Sequence, residues 1–371
     1  MMRRNQFLIF IAVIYIIMTV GIVSYFKQFS ISLELTTPSI ITDANFNNNI
    51  LKQSFEFPKD FNYTLSVNDT CRSENVPNQN QTRNKAFLTL FTTWNSKDQK
   101  HKIHINSLKN WLSLGYDVRV ILFLNDSVNY SECSCPNCEI WSVPVAGEVG
   151  VPILKHMFLY VLRNINSTFY AYVNSDILFN SNLIPTLELI DQKIDYSTSP
   201  VFIVGRRTNV MNLTEQEASS SSSIENAARH RGKIFRSDAE DYFFTTKNYP
   251  WENIPELIVG SPAYDNWLVT YSLLSRFVVI DVTNTVLAVH QTTQVGNYEG
   301  FQKNFKQYNN KLLATKYNDT NSVRSGHTVC TDLQTKISNK KIVLMERRTN
   351  ICRRIHKKII GKTAIKTPWR M

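Results

Sequence analysis

Apolar positions fall in short blocks from Lys85 onward, and the blocks alternate between two periods. Ala86 to Phe91 is a compact apolar run of strand length. From His101 to Leu114, apolar residues stand at Ile103, Ile105, Leu108, Trp111 and Leu112, a helical spacing that Gly115 stops. Val118 to Leu124 predicts a second strand, closed by Asn125-Asp126, and Ile140 to Val145 a third. Val151 to Leu162 predicts a helix, Tyr170 to Val173 a buried strand, Leu183 to Ile190 a helix and Val201 to Val204 a strand. Between Asn212 and Arg236 the pattern lapses around five consecutive serines, Ser219 to Ser223; this predicts a long mobile loop, either a lid or an insertion. Order returns at Asp241-Tyr242-Phe243-Phe244. Asn266 to Leu274 predicts a helix, Phe277 to Asp281 a strand, and Val286 to Val289 a last strand ending in His290-Gln291. Strand alternating with helix implies a layered α/β domain with a mostly parallel central sheet.

The ends of the chain follow other rules. Phe7 to Phe26 is a run of 20 uncharged residues, preceded by Arg3 and Arg4. At ~1.5 Å per residue it spans about 30 Å, a bilayer core, and the positive-inside rule keeps residues 1–6 cytosolic. A cleaved signal peptide is the alternative, although no small-x-small site follows the run. Residues 27–84 are rich in Asn, Pro, Ser and Thr with weak periodicity, as in a solvated stem. The expected organisation is therefore tail 1–6, anchor 7–26, stem 27–84, domain 85–320 and a basic C-terminal segment 321–371.

Charge sharpens the last boundary. The chain carries +11 overall, and Lys336 to Met371 holds 12 Lys and Arg against one Glu, so the remainder is close to neutral. High basicity thus says nothing about the domain. The segment is either a solvated tail or a surface for phospholipid or an acidic partner. Nucleic acid is not an expected partner, because the anchor puts this segment across the membrane. Eight Asn-x-Ser/Thr sequons, at Asn62, Asn68, Asn80, Asn125, Asn129, Asn166, Asn212 and Asn318, agree with a secretory lumen. All six cysteines (Cys71, Cys133, Cys135, Cys138, Cys330, Cys352) follow the anchor. Cys133 to Cys138 has the look of a zinc knuckle, but no fourth ligand lies nearby, and an even count in an oxidising lumen predicts disulfides.

Candidate chemistry sits where apolar strands stop. The strand ending at Val173 gives way to Asn174-Ser175-Asp176, at a strand C-terminus where open α/β sheets bind ligands. A carboxylate there without a basic neighbour suits a hard divalent cation; as plain residues, Asn174 and Asp176 also suit a turn. Asp265 is a general-base candidate and equally a good helix N-cap. His290 follows an apolar strand, and Arg206 and Arg207 end another; the arginines suit a diphosphate or an acidic sugar, or simply the surface.

Together these segments resemble the GT-A glycosyltransferases, the nucleotide-diphospho-sugar transferase superfamily, over roughly Lys85 to Gln307. The resemblance rests on Asn174-Ser175-Asp176, which stands where that superfamily has Asp-x-Asp, on the Asp241-Tyr242-Phe243 block, on Gly260-Ser261-Pro262 running into Asp265-Asn266-Trp267, and on His290-Gln291. It implies a GT-A, Rossmann-like layered fold and a type II, single-pass protein of the Golgi or ER membrane with a luminal catalytic domain. Asp176 and His290 would hold Mn²⁺ or Mg²⁺ on the donor diphosphate. Thr92, Thr93, Asn174, Ser175, Arg206, Asp241, Asn266 and Trp267 would contact substrate, and Asp265 would deprotonate the acceptor hydroxyl. The implied partners are a nucleotide-sugar donor and a glycan, protein or lipid acceptor. Asn174 departs from the motif at its first carboxylate, which leaves a non-catalytic carbohydrate-binding protein as the alternative. A sulfotransferase would need a glycine-rich phosphate loop after the first strand, and Phe91 to Asp98 has no glycine.

Overall fold

The computed structural model describes residues 85–94, 100–125, 131–294, 303–317 and 326–347. The expected anchor, stem, Cys71, Cys352 and the chain beyond residue 347 lie outside these, as do the sequons at Asn62, Asn68, Asn80, Asn129 and Asn318. Asn125, Asn166 and Asn212 are exposed. Among the described residues no helix is long and apolar enough to cross a membrane.

The chain forms a mixed α/β fold around a large central sheet. Its strands are β1 (Ala86–Thr93), β2 (Val118–Phe123), β3 (Cys138–Trp141), β4 (Ser167–Val173), β6 (Val201–Val204), β9 (Tyr242–Thr246), β10 (Val278–Asp281), β12 (Leu333–Ser338) and β13 (Lys341–Glu346). They lie in the order β13-β12-β10-β6-β9-β4-β1-β2-β3. Neighbours pair in parallel except at β9, which runs against both β4 and β6, and at the β12–β13 hairpin. A second, four-stranded sheet of order β5-β11-β7-β8 is built from β5 (Ile177–Phe179), β7 (Arg207–Met211), β8 (Lys233–Ile234) and β11 (Ala288–Thr292).

The central strands are apolar on both faces because both faces are covered. Alternation along β4 sends Phe169, Ala171 and Val173 into one core and Tyr170 and Tyr172 into the other. The first core is closed by α1 (His101–Leu112), through Ile105, Leu108 and Trp111, and by α3 (Leu183–Lys193), through Leu183, Leu187 and Ile190. The second is closed by α2 (Leu154–Asn164), through Met157, Phe158 and Val161, and by α6 (Tyr264–Leu274), through Trp267, Leu268 and Tyr271.

Two expectations change and one holds. The lapse between Asn212 and Arg236 is not a loop; it holds α4 (Glu215–Ala218) and α5 (Ser221–Arg231). The serines and Thr214 act as caps. Thr214 and Glu217 form a capping box, and the Ser220 hydroxyl accepts the Ser223 N–H at 3.2 Å. Only Ala218, Ile224 and Ala227 are buried there, against Leu178, Val210 and Val289 of the small sheet, so the apolar signal is sparse. The sheet also runs past the expected boundary at residue 320. β12 and β13 add to β10, and Arg347 Nη2 pairs with Asp281 Oδ2 at 2.5 Å, so this stretch of the basic segment belongs to the domain. Finally, Cys133 and Cys138 form a disulfide, and Cys135 and Cys330 are also disulfide-bonded, as expected over a zinc knuckle.

Candidate active site

Register places the candidate residues along one edge. β1 and β4 are parallel, so Thr92-Thr93 and Asn174–Asp176 leave the sheet on the same side. β9 is antiparallel, and Val173 pairs with Tyr242, so the start of β9 brings Glu240 and Asp241 to that edge. β6 and β10 run parallel to each other with Val204 beside Asp281, which adds Gly205-Arg206 and Asp281. This is the carboxyl end of the parallel strands, the position at which open α/β sheets bind ligands. A side chain at position 205 would collide with the Tyr242 hydroxyl, so only glycine lets β6 turn here.

Asp176 lies between β4 and β5 and faces β11. Its Oδ2 is 3.2 Å from His290 Nε2, while its buried Oδ1 has no hydrogen-bond partner among the described residues. His290 sits within β11 rather than after it, and Thr292 Oγ1 lies 2.8 Å from its Nδ1, fixing the ring. The Gln291 N–H donates to the Asp176 carbonyl at 3.0 Å, locking the two strands in register. Gln291 also bonds Ile103 O and Ser107 Oγ, tying the small sheet to α1. Burial works to raise the Asp176 carboxyl. The charge and hydrogen bond of His290, with Lys100 and Arg207 behind it, hold it well below the usual carboxylate range.

Asn174 has a different occupation. Its amide donates to Asp241 Oδ1 at 2.7 Å, its N–H donates to the Asp241 carbonyl at 2.8 Å, and its Oδ1 accepts from Tyr264 Oη at 3.3 Å. Asp241 in turn forms a buried ion pair with Arg207, whose guanidinium lies 4.2 Å from the centre of the Phe235 ring. Arg206 donates through Nε to the Phe235 carbonyl at 2.7 Å. Asn174, Asp241 and both arginines thus form the floor of the site. Ser175 is half-buried between Asn174 and Asp176. Thr93 Oγ1 donates to Phe123 O at 2.7 Å; Thr92 is fully buried with its hydroxyl unpartnered among the described residues. Trp267 is a correction: it is buried in the second core, stacked on Tyr271 at 5.1 Å, and offers no face to a substrate. Its helical spacing from Tyr264 and Tyr271 carried that signal.

Asp265 is not the N-cap of α6. That place is taken by Ala263, in the left-handed region at φ 85°, and Asp265 stands in the first turn. Its Oδ2 accepts the Glu240 N–H at 3.1 Å. Burial pushes its carboxyl up to about 6; main-chain hydrogen bonds from Asn266 and Glu240 pull against this, and the charge of Asp241 adds to it. Asn266 is half-buried beside it, and its main-chain carbonyl is close-packed against Gly326. The turn that delivers Asp265 is clamped by a residue the pattern did not single out. Asn309, fully buried on α7 (Tyr308–Tyr317), accepts from Ile258 N and donates to Ile258 O and Ser261 O, each at 2.9 Å. Glu240 was likewise missed. It is fully buried, and neither carboxylate oxygen has a partner among the described residues.

No protein-family model and no curated protein matches this chain. Among solved structures, S. aureus TarS 1–349 aligns at 14% identity over 33% of this chain and 36% of that one, with a TM-score of 0.25. A mycobacterial protein aligns at 11% identity over 70% and 83%, with a TM-score of 0.33. The mannosyltransferase PcManGT from Pyrobaculum calidifontis, solved in complex with GDP-Man and Mn²⁺, aligns at 11% identity over 66% and 62%, with a TM-score of 0.36. The alignment spans about a third of the TarS fragment. Similarity at these scores carries no argument about this chain, whose chemistry rests on its own residues.

Proposed function

We propose that this protein is a glycosyltransferase that moves a sugar from a nucleoside-diphosphate donor to an acceptor hydroxyl, with a divalent metal on the donor. The observation that carries the proposal is the meeting of Asp176 and His290 at the carboxyl edge of the sheet, with Asp265, pushed up to about 6 by burial, on the same edge.

Among the described residues no group of three or more His, Cys, Asp and Glu is arranged around a metal. Asp176, with one oxygen unpartnered and the other facing an imidazole nitrogen, supplies a mixed oxygen and nitrogen pair that suits Mn²⁺ better than Mg²⁺, which takes oxygen ligands. A bound metal would take its other oxygens from the donor and from water. When bound, the metal would neutralise charge on the leaving diphosphate. The chain's own residues do the rest. Asn174 and Arg207 hold Asp241, and Tyr264 holds Asn174, so the turn carrying Asp176 and the helix carrying Asp265 share one framework. Asp265, ionised above about pH 6, takes the acceptor proton on the face opposite the leaving group, which implies inversion at the anomeric carbon. We place the domain in the lumen of the Golgi or ER, tethered by residues 7–26.

The deciding experiment screens the full-length protein against UDP-, GDP- and CMP-sugars with Mn²⁺, following donor hydrolysis and transfer to simple glycosides. Metal-dependent release of nucleotide is expected. Sugar binding without turnover of any donor would instead favour a carbohydrate-binding protein on this fold.

A further inference from the structure

Among the described residues the carboxyl edge carries more carboxyls than paired cations. Around Glu240 stand Asp238 and Asp241 from its own segment, Asp265 from α6 and Asp281 from the end of β10. Three of these have arginine partners: Asp238 with Arg236 at 2.5 Å, Asp241 with Arg207, and Asp281 with Arg347 at 2.5 Å. His327 lies beside Asp238 and bonds Ser237 at 3.1 Å. The hydroxyls of Tyr242 and Tyr264 face the same cluster and are kept neutral by burial. Among the described residues two of these carboxyls, Glu240 and Asp265, have no cation paired with them.

Their surroundings differ. Asp265 sits in the first turn of a helix, where free main-chain N–H groups favour a negative charge. It accepts the Glu240 N–H at 3.1 Å and a further N–H from Asn266. Glu240 is 1% exposed, and both of its oxygens lack hydrogen-bond donors among the described residues. An isolated buried carboxylate is costly, and the group takes a proton or a cation instead. The arginines of the cluster, Arg207, Arg236 and Arg347, each pair with another carboxylate, so among the described residues the proton is the partner left to Glu240.

We propose that Glu240 and Asp265 work as a carboxyl pair that holds one proton, kept on Glu240, so that Asp265 is the free carboxylate of the site. Glu240 is then a positioning residue. Its main-chain N–H orients Asp265, and its neutral side chain leaves Asp265 as the single uncompensated charge. Burial and the neighbouring carboxylates push Glu240 well above the usual range, in agreement. Loss of the Glu240 proton at alkaline pH places a second charge beside Asp265 and disturbs the site. That catalytic consequence rests on the glycosyl-transfer reading; the pair itself does not.

Two measurements on the full chain test the pair without any donor. A carboxyl raised in the folded state weakens the fold increasingly as pH climbs above its unfolded value. Glu240→Gln, isosteric and uncharged, removes that effect. Its melting temperature should exceed wild type by a margin that is near zero at acid pH. The margin should widen by roughly 3–5 °C per pH unit toward alkaline pH, with or without chelator. Isotope-edited infrared spectra of wild type at pH 7 should show a protonated carboxyl band that Glu240→Gln lacks. A margin that does not vary with pH would overturn the pair. So would the absence of that band from wild type, or a Mn²⁺- or Ca²⁺-dependent stabilisation abolished by Glu240→Gln, which would make Glu240 a cation ligand. If Glu240→Gln does not fold, the infrared band of wild type decides alone. In the assay, the alkaline fall in kcat should vanish in Glu240→Gln and persist in Glu240→Asp. An unchanged fall in Glu240→Gln would remove the positioning role, whereas absence of all turnover would sink the glycosyl-transfer reading and leave the pair standing.

Discussion

Asp176 and Asp265 are both half-buried carboxylates at one sheet edge, yet their environments push them apart. Asp176 has an imidazole and stays ionised; Asp265 has only main-chain donors among the described residues, and burial pushes it up to about 6. Environments that separate two acids in this way mark distinct roles. For Asp176 the expected result is that Asp176→Asn abolishes the rise in melting temperature that Mn²⁺ plus a nucleoside diphosphate gives the wild type. Ligand that binds only the folded state must stabilise it, and an amide oxygen is a poor substitute for the carboxylate. An unchanged rise in the variant would place the metal elsewhere. For Asp265, Asp265→Asn should lower kcat by about 10²–10⁴-fold while donor binding holds and the melting temperature does not fall, because the amide keeps the bond to Glu240 N but accepts no proton. In wild type, kcat should fall tenfold per pH unit below about pH 6, as the base is protonated. Wild-type turnover in Asp265→Asn would make the carboxylate a helix-terminal group alone.

At the scale of elements, the site depends on how α6 is delivered. The turn before it holds Gly260 at φ 71° and Ala263 at φ 85°, conformations that L side chains rarely adopt. Asn309 compensates by satisfying three main-chain groups of that turn from another helix. Asn309→Ala should therefore cost about 2–4 kcal/mol, since it leaves buried polar groups unpaired, and should loosen Asp265 relative to Glu240. Chemical denaturation gives the first quantity. A variant with wild-type stability would show that water replaces the amide. The helices α4 and α5 illustrate the opposite balance. They bury little, and their boundaries are set by Thr214 and Ser220 acting on free N–H groups.

The whole molecule closes where charge alone suggests a loose tail. β10 would be an open edge without β12, and Asp281 would be a buried charge without Arg347, which is itself nearly buried. Thr285 and Thr335 also share a buried hydrogen bond at 2.6 Å across this junction. A chain ended at residue 320 should lose cooperative unfolding and aggregate, because removing one partner of a buried ion pair costs roughly 3–5 kcal/mol and the exposed edge invites pairing with other chains. Differential scanning calorimetry of the shortened and full chains checks this. A shortened chain that unfolds as cooperatively as the full one would show β12 and β13 to be an appendage.

Local pattern was enough to read the layered α/β class, the strands around β1, β2, β4, β6 and β10, the helices facing them, and the stop at Asn174–Asp176, because burial on both faces writes long apolar runs and polar groups interrupt them only where the sheet ends. The even cysteine count likewise pointed to disulfides. Tertiary structure decided what no single segment encodes. It inserted β9 between β4 and β6 against their direction and so set Asp241 beside Asn174. It drew His290 to Asp176 from a strand 114 positions away, and it buried Trp267. It also left Glu240 without a donor. These outcomes depend on which strands become neighbours, and a carboxylate's role follows from the charges and N–H groups that fold around it.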